Sequence, residues 1–201
     1  MTVQHSEEFI LRLATPDDVP RLLQMYLDFE PKVEFQGLPP PTREKIEQWL
    51  TSLIGGGNVN FVIEAADGRI IGHAVLCREA TDRAEVAIFL HQEFRGKGLG
   101  RKLMEAVIHF GCHCLHLKKI WLSVQTLNLP AVELYRKLGF VTLHDIGDVS
   151  SELLMERRVG CPVCRQEECP VFDKRLPLRI TLPSAREPSG RDQSSEEEHA
   201  L

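Results

Sequence analysis

Apolar and polar side chains alternate over residues 9 to 14 (FILRLA), which predicts a short strand. Thr15 then offers an N-cap, Pro16 a first helical position, and Asp17 and Asp18 early acids. A helix is expected from there, with Val19, Leu22, Leu23, Tyr26 and Phe29 on one face, until Pro31 and the run from Gly37 to Pro41 break the pattern. Thr42 can cap a second helix whose Ile46, Trp49, Leu50 and Leu53 share a face, and the glycines from Gly55 to Gly57 end it. Residues 59 to 65 (VNFVIEA) and 70 to 77 (IIGHAVLC) read as strands around the hairpin signal Asp67-Gly68, and residues 84 to 90 (AEVAIFL) as a third strand. From Leu99 to Leu117 a helical stripe runs through Leu103, Val107, Phe110 and Cys114, and strand character returns at 119 to 124 (KIWLSV). Asn128 can cap a further helix, with Pro130 in its first turn and Gly139 at its end, before strands at 140 to 144 and 152 to 158. The order predicts a mixed α/β fold with an antiparallel finish.

Periodicity stops after Arg158. The pattern therefore predicts a folded domain over 1–158 and a Cys-containing extension over 159–201, disordered from about residue 184, where neither aromatic nor β-branched side chains remain. With 201 residues, 43% hydrophobic and 26% charged, the chain has ordinary globular values and enough length for one substantial core. Twenty-four basic against 29 acidic residues give a net charge of -5 without a basic block, so nucleic acid is not an expected partner. No apolar run is long enough to cross a bilayer, and the acidic start MTVQHSEEF does not read as a signal peptide. The expectation is a cytoplasmic protein with no membrane partner, in which the six cysteines are reduced or bind metal.

Arg95-Gly96-Lys97-Gly98-Leu99-Gly100 stands directly between the strand AEVAIFL and the long amphipathic helix. Glycines allow backbone N–H groups to approach an anion, the helix start adds unpaired donors and partial positive charge, and Arg95, Lys97 and Arg101 add full charges. A phosphate or pyrophosphate suits that junction. The string is neither a Walker loop nor a Rossmann fingerprint, because no Gly-Lys-Ser/Thr follows and the GxGxxG spacing is absent. Some thirty residues downstream, the segment from Asn128 to Phe140 (NLPAVELYRKLGF) begins at the next strand-to-helix turn.

Together these segments resemble the GNAT superfamily of acyl-CoA-dependent N-acetyltransferases. Arg95, Gly98 and Gly100 meet its Arg/Gln-x-x-Gly-x-Gly/Ala pattern, the later segment meets N-x-x-A-x-x-L-Y-x-K-x-G-F, and the opening LRLATPDDVPRLL is similar to its first strand and helix. The resemblance spans roughly residues 9 to 158. It implies a mixed, mostly antiparallel central sheet flanked by helices, with AEVAIFL and KIWLSV splayed apart to admit the pantetheine arm of acetyl-CoA. By the same likeness, backbone N–H groups of Arg95, Gly96, Lys97, Gly98, Leu99, Gly100 and Arg101 hold the pyrophosphate. The Leu90 backbone pairs with the pantetheine, Asn128 touches that arm, and Tyr135 protonates the departing thiolate. Read without the likeness, Tyr135 is a helix aromatic half-buried beside Leu134 and Leu138.

An attacking amine must be neutral, yet a Lys-like amine has a pKa of about 10.4, so a base or water relay is required. Glu85, on the strand feeding the glycine loop, is the candidate, and Glu64 is the rival. The likeness implies that acceptor specificity comes from the loop between the first two helices and from the late hairpin. In that loop Glu30 and Glu34, among Phe29, Phe35 and Trp49, could select a cationic amine, and a solvated face with ordinary core aromatics is the other reading. His109, His113 and His116 have metal-compatible spacing but no obvious fourth ligand, so no metal is expected there. Cys161, Cys164 and Cys169 form a CPxC-type cluster that could hold zinc or serve a homodimer, with reduced thiols the default. The sequence thus predicts direct acetyl transfer from acetyl-CoA to a primary amine, with backbone N–H groups stabilising the oxyanion. A small-molecule acceptor is favoured over a protein lysine or N-terminus. A non-catalytic acyl-CoA sensor is the reading from another class, and the intact Tyr135 argues against it.

Overall fold

A computed structural model of the chain describes residues 6–30, 39–143, 151–159 and 177–183. The strands are β1 (Ser6–Leu13), β2 (Val59–Ala65), β3 (Ile70–Arg78), β4 (Arg83–Leu90), β5 (Lys119–Gln125), β6 (Val141–Thr142), β7 (Glu152–Arg158) and β8 (Leu178–Pro183). The helices are α1 (Val19–Leu27), α2 (Arg43–Gly55), α3 (Leu99–His113) and α4 (Leu129–Lys137). One sheet joins all eight strands in the order β6-β7-β5-β4-β3-β2-β1-β8. Every described pairing is antiparallel except β4 with β5, giving the mixed, mostly antiparallel sheet that the resemblance implied.

Strand alternation divides the core into two layers. Phe61, Ala74, Leu76, Ala84, Val86, Ile120 and Leu122 pack with Leu99, Leu103 and Val107 of α3 and with Val132 and Tyr135 of α4. On the opposite face Val62 and Ile70 meet Leu22, Leu23 and Tyr26 of α1 and Ile46 and Leu50 of α2. Gly111 lets α3 approach β5: a Cβ there would stand 2.9 Å from Ile120 Cδ1.

The entry to α1 is a short 3-10 turn, Pro16–Asp18, in which Thr15 and Asp18 form a capping box. Asp18 is fully buried and accepts from Arg12 Nη1 at 2.7 Å and Nη2 at 2.8 Å, from Thr15 N at 2.8 Å, and from Arg21. Burial alone raises a carboxyl pKa, but these donors and the charges of Arg12 and Arg21 reverse the effect and hold Asp18 well below the usual carboxylate range. A second buried network ties both helices to the sheet. Asn60 Nδ2 donates to the carbonyls of Leu53 (3.0 Å) and Asn58 (3.2 Å), which leaves its Oδ1 to accept from His73 Nε2 at 3.1 Å. His73 Nδ1 then accepts from the Tyr26 hydroxyl at 2.7 Å, so the network assigns the Nε2–H tautomer. Burial lowers the His73 pKa to about 3 and raises that of Tyr26, which keeps both groups neutral.

Three expectations change. β8 pairs with β1 from Ser6/Pro183 to Leu11/Leu178 and buries Ile180, so the sheet extends past the limit that lost periodicity placed at residue 158. α3 ends at His113 rather than near Leu117, because Cys114 closes the helix and His116 takes a left-handed φ of 54°. The strand expected over 140 to 144 is reduced to Val141–Thr142. The cluster Cys161, Cys164 and Cys169, the acceptor-loop residues Glu34 and Phe35, and the tail from residue 184 lie outside the described residues.

Candidate active site

The parallel pairing of β4 with β5 covers only Arg83/Lys119, Ala84/Ile120 and Glu85/Trp121, and the two strands part beyond that point. His91 N–H donates to the Ile71 carbonyl at 2.8 Å, and the β3–β4 register runs without a shift from Arg78/Ala84 to Gly72/Leu90. Odd-numbered residues at this end of β4 therefore bond to β3, while the backbone groups of Ile88 and Leu90 face the opening beside β5. The Leu90 carbonyl already accepts from Arg95 Nε at 3.0 Å, leaving its N–H toward the opening. Ile88 was not singled out in the sequence, because ladder parity cannot be read from residue types.

The opening leads to the glycine loop. Gly96 and Gly98 have φ of 77° and 80°, a region that favours glycine, and Gly98 is the N-cap of α3. Lys102 N–H is the first helical donor, bonding to the Gly98 carbonyl at 3.2 Å, so the amides of Leu99, Gly100 and Arg101 precede the first intrahelical bond. The positive N-terminal end of a 15-residue helix thus faces a loop without side-chain obstruction at Gly96 or Gly98.

The three cations of this loop are engaged by the protein itself. Arg95 bonds to the carbonyls of Leu90 and Glu30 and lies over the Phe29 ring at 5.1 Å. Lys97 Nζ reaches Glu7 Oε2 at 2.7 Å, and Arg101 Nε reaches Glu105 Oε1 at 2.7 Å. Asn128 caps α4, its side chain accepting from Ala131 N at 3.4 Å.

Glu85 and Tyr135 lie on opposite faces of the sheet. Glu85 alternates with the core-facing Ala84 and Val86, and so shares its face with Phe89, which packs against Tyr26, Phe29 and Trp49. Its cross-strand neighbours are Cys77 and Trp121. Half-burial and the nearby Glu79 raise the Glu85 pKa, and no described residue donates a hydrogen bond to its carboxylate. Glu79 is itself occupied, accepting from Trp121 Nε1 at 2.8 Å and pairing with Arg83 at 3.3 Å. Tyr135 belongs to the α3–α4 layer, 7% exposed and packed against Phe140 with ring centroids 5.9 Å apart. Its burial is deeper than the half-buried alternative assumed, and it raises the phenol pKa.

The rival base Glu64 is committed elsewhere. Its Oε2 accepts from Arg12 Nη2 at 2.7 Å and lies 3.3 Å from Arg21, two strands away from β4. Of the three spaced histidines, His109 and His113 stack with ring centroids 4.1 Å apart, while His116 lies beyond the helix. Among the described residues no group of three or more His, Cys, Asp or Glu side chains is placed to hold a metal ion, and no helix is long and apolar enough to cross a membrane.

Comparison with known proteins adds a family and a fold. Residues 8–141 match the acetyltransferase (GNAT) domain family. Over 82 residues the chain is 37% identical to the spermidine N(1)-acetyltransferase of Escherichia coli K12, covering 40% of this chain and 44% of that protein. The chain spans about half the length, or less, of the first curated relatives it matches. A GNAT-family acetyltransferase from Streptococcus pneumoniae superposes with a TM-score of 0.62 at 23% identity, covering 76% of this chain and 99% of the other. A GNAT-superfamily phosphinothricin acetyltransferase from Sinorhizobium meliloti, solved in complex with AcCoA, superposes with a TM-score of 0.61 at 21% identity, covering 75% and 88%.

Proposed function

The chain belongs to the acetyltransferase (GNAT) family, and on that premise we propose that it transfers the acetyl group of acetyl-CoA to a primary amine by direct attack, with a small-molecule amine as acceptor. The observation that carries this reading is the opening between β4 and β5, with the Ile88 and Leu90 backbone turned into it and the α3 N-terminus beside it. Backbone amides from Arg95 to Arg101 would hold the pyrophosphate, in keeping with side chains of Arg95, Lys97 and Arg101 that are already engaged. The Leu90 N–H would take a pantetheine carbonyl, and Asn128 would touch the same arm from the start of α4.

The reaction then runs through the opening. Glu85 removes a proton from the acceptor ammonium; the neutral nitrogen attacks the thioester carbon, and backbone N–H groups of β4 stabilise the oxyanion. Collapse breaks the C–S bond and the thiolate takes a proton from Tyr135 on the other face, while the second proton shed by the attacking nitrogen passes to water, from which the Tyr135 phenolate is reprotonated. The raised Glu85 pKa makes a stronger base, whereas burial of Tyr135 keeps the phenol protonated but makes it a weaker acid, so its donation requires the thiolate to be held against the hydroxyl. No covalent acetyl-enzyme is required.

The acceptor class is supported by the half-buried Trp49 and Phe89, which pack over the buried Tyr26 and Phe29 on the Glu85 face and leave ring surface, on the same face as that carboxylate, that suits an aliphatic cation. The name of the Escherichia coli relative points to the same class. Tyr135→Phe tests the mechanism, because it keeps the ring that packs against Phe140 and removes only the hydroxyl. Turnover is expected to fall steeply with acetyl-CoA affinity nearly unchanged. Unchanged turnover would remove Tyr135 from the reaction.

A further inference from the structure

The end of α1 and the loop that leads into the glycine motif are joined by side chains that neither substrate role requires. Gln92 Nε2 donates to the Asp28 carbonyl at 2.7 Å, and Gln92 Oε1 accepts from Glu30 N–H at 2.9 Å. Both ends of one amide are therefore spent on two backbone groups that bracket Phe29. Arg95 completes the tie, donating to the Glu30 carbonyl and stacking over the Phe29 ring. Phe29 in turn packs on Phe89 of β4 and on Tyr26. Residues 28 to 30 are thus tied both to α1, where Asp28 N–H donates to the Gln24 carbonyl at 3.2 Å, and to the residues that precede Gly96.

We propose that Gln92 is a positioning residue that couples the two substrate sites: through its paired bonds to Asp28 and Glu30, occupancy of the glycine loop by acetyl-CoA is transmitted to the aromatic wall of the acceptor side. The inference rests on the acyl-transfer reading above. A loop that tightens around the pyrophosphate fixes residues 92 to 95, and fixing Gln92 fixes the α1 terminus. By linkage, an acceptor seated against Phe89, on which Phe29 packs, tightens acetyl-CoA by the same factor. A side chain making these bonds only to stabilise the fold would hold Glu30 equally well with the glycine loop empty or filled.

Amide hydrogen exchange of the full chain, read at Glu30 with and without saturating acetyl-CoA, separates these cases. In the wild-type protein acetyl-CoA should slow exchange at Glu30 by about tenfold, within the usual range of coupling between sites. Gln92→Ala should bind acetyl-CoA with nearly unchanged affinity yet lose the slowing. Gln92→Glu, which still accepts from Glu30 N–H but no longer donates to the Asp28 carbonyl, should keep part of it. Slowing that survives intact in Gln92→Ala, or wild-type protein that binds acetyl-CoA without any change at Glu30, would overturn the coupling and leave the acyl-transfer reading standing. Wild-type protein that fails to bind acetyl-CoA would overturn both.

Discussion

Acidification should destabilise this fold before any carboxylate network fails, and His73 is the reason. The ring is fully buried, its Nδ1 accepts from Tyr26 and its Nε2–H is spent on Asn60, so a second proton would place an unpaired charge in the core. Its pKa is lowered from 6.5 to about 3 by burial. A depressed histidine costs nothing above pH 6.5, where folded and unfolded chains are both neutral. Below that the unfolded chain gains a proton that the folded chain refuses, at about 1.4 kcal/mol per pH unit. Between pH 7 and pH 5 the loss attributable to His73 is therefore about 2 kcal/mol, a substantial share of a typical domain stability. Asp18 contributes nothing in that interval, because its stabilisation is present above pH 3.8 and is lost only as pH falls further. Urea denaturation of the wild type and of His73→Gln at the two pH values isolates the effect. The variant should be less stable at pH 7, having lost a buried network, but its further loss on acidification should be smaller by about 2 kcal/mol. His109, also lowered, to about 4, titrates in both proteins and cancels. Equal pH dependence in the two proteins would refute the assignment of His73 as a buried neutral ring.

Glu85→Gln should lower turnover by about 100-fold or more, the scale of general-base catalysis. In the wild type the acidic limb of kcat/KM should follow a group titrating above an ordinary glutamate, since activity is lost as pH falls through a raised pKa; a limb unchanged in the variant would exclude this base. Gly98→Ala forces a side chain into φ of 80°, a strain of about 1–2 kcal/mol, and should weaken acetyl-CoA binding measured by calorimetry. Gly111→Ala places a methyl against Ile120 and Leu117 and should cost about 1–3 kcal/mol in denaturant unfolding without changing the acetyl-CoA KM.

The elements most legible in the sequence were those with their own local signals. Thr42 and Asn128 cap the helices expected of them, and β2, β3, β4, β5 and β7 fall within two residues of the periodic segments. β8 was not legible as part of the sheet, because LRITL follows a stretch without periodicity and its place is fixed by its distant partner β1. The glycine loop was legible as a turn that opens a long helix, but the engagement of Lys97 by Glu7 and of Arg101 by Glu105 was not, since a string of basic residues says nothing of the acids that fold against it. His73 looked like one polar residue in a strand, and Tyr26 like one aromatic in a helical stripe. Their bond joins residues 47 positions apart and is set by packing α1 onto β3. Glu85 and Glu64 were likewise inseparable by residue type, and the difference between them is that Arg12 and Arg21 fold against only one.

In the proposed mechanism the opened β4–β5 edge delivers acetyl groups to amines. The most direct test incubates the purified chain with acetyl-CoA and a pool of polyamines, amino acids and lysine-containing peptides, then identifies acetylated species by mass spectrometry while free thiol release is followed. The account predicts an acetylated small amine, with thiol released in equal amount and both lost in Tyr135→Phe. Acetylated peptides alone would replace the small-molecule acceptor with a protein one. Tight acetyl-CoA binding with no product above the enzyme-free control would contradict catalysis and favour a sensor.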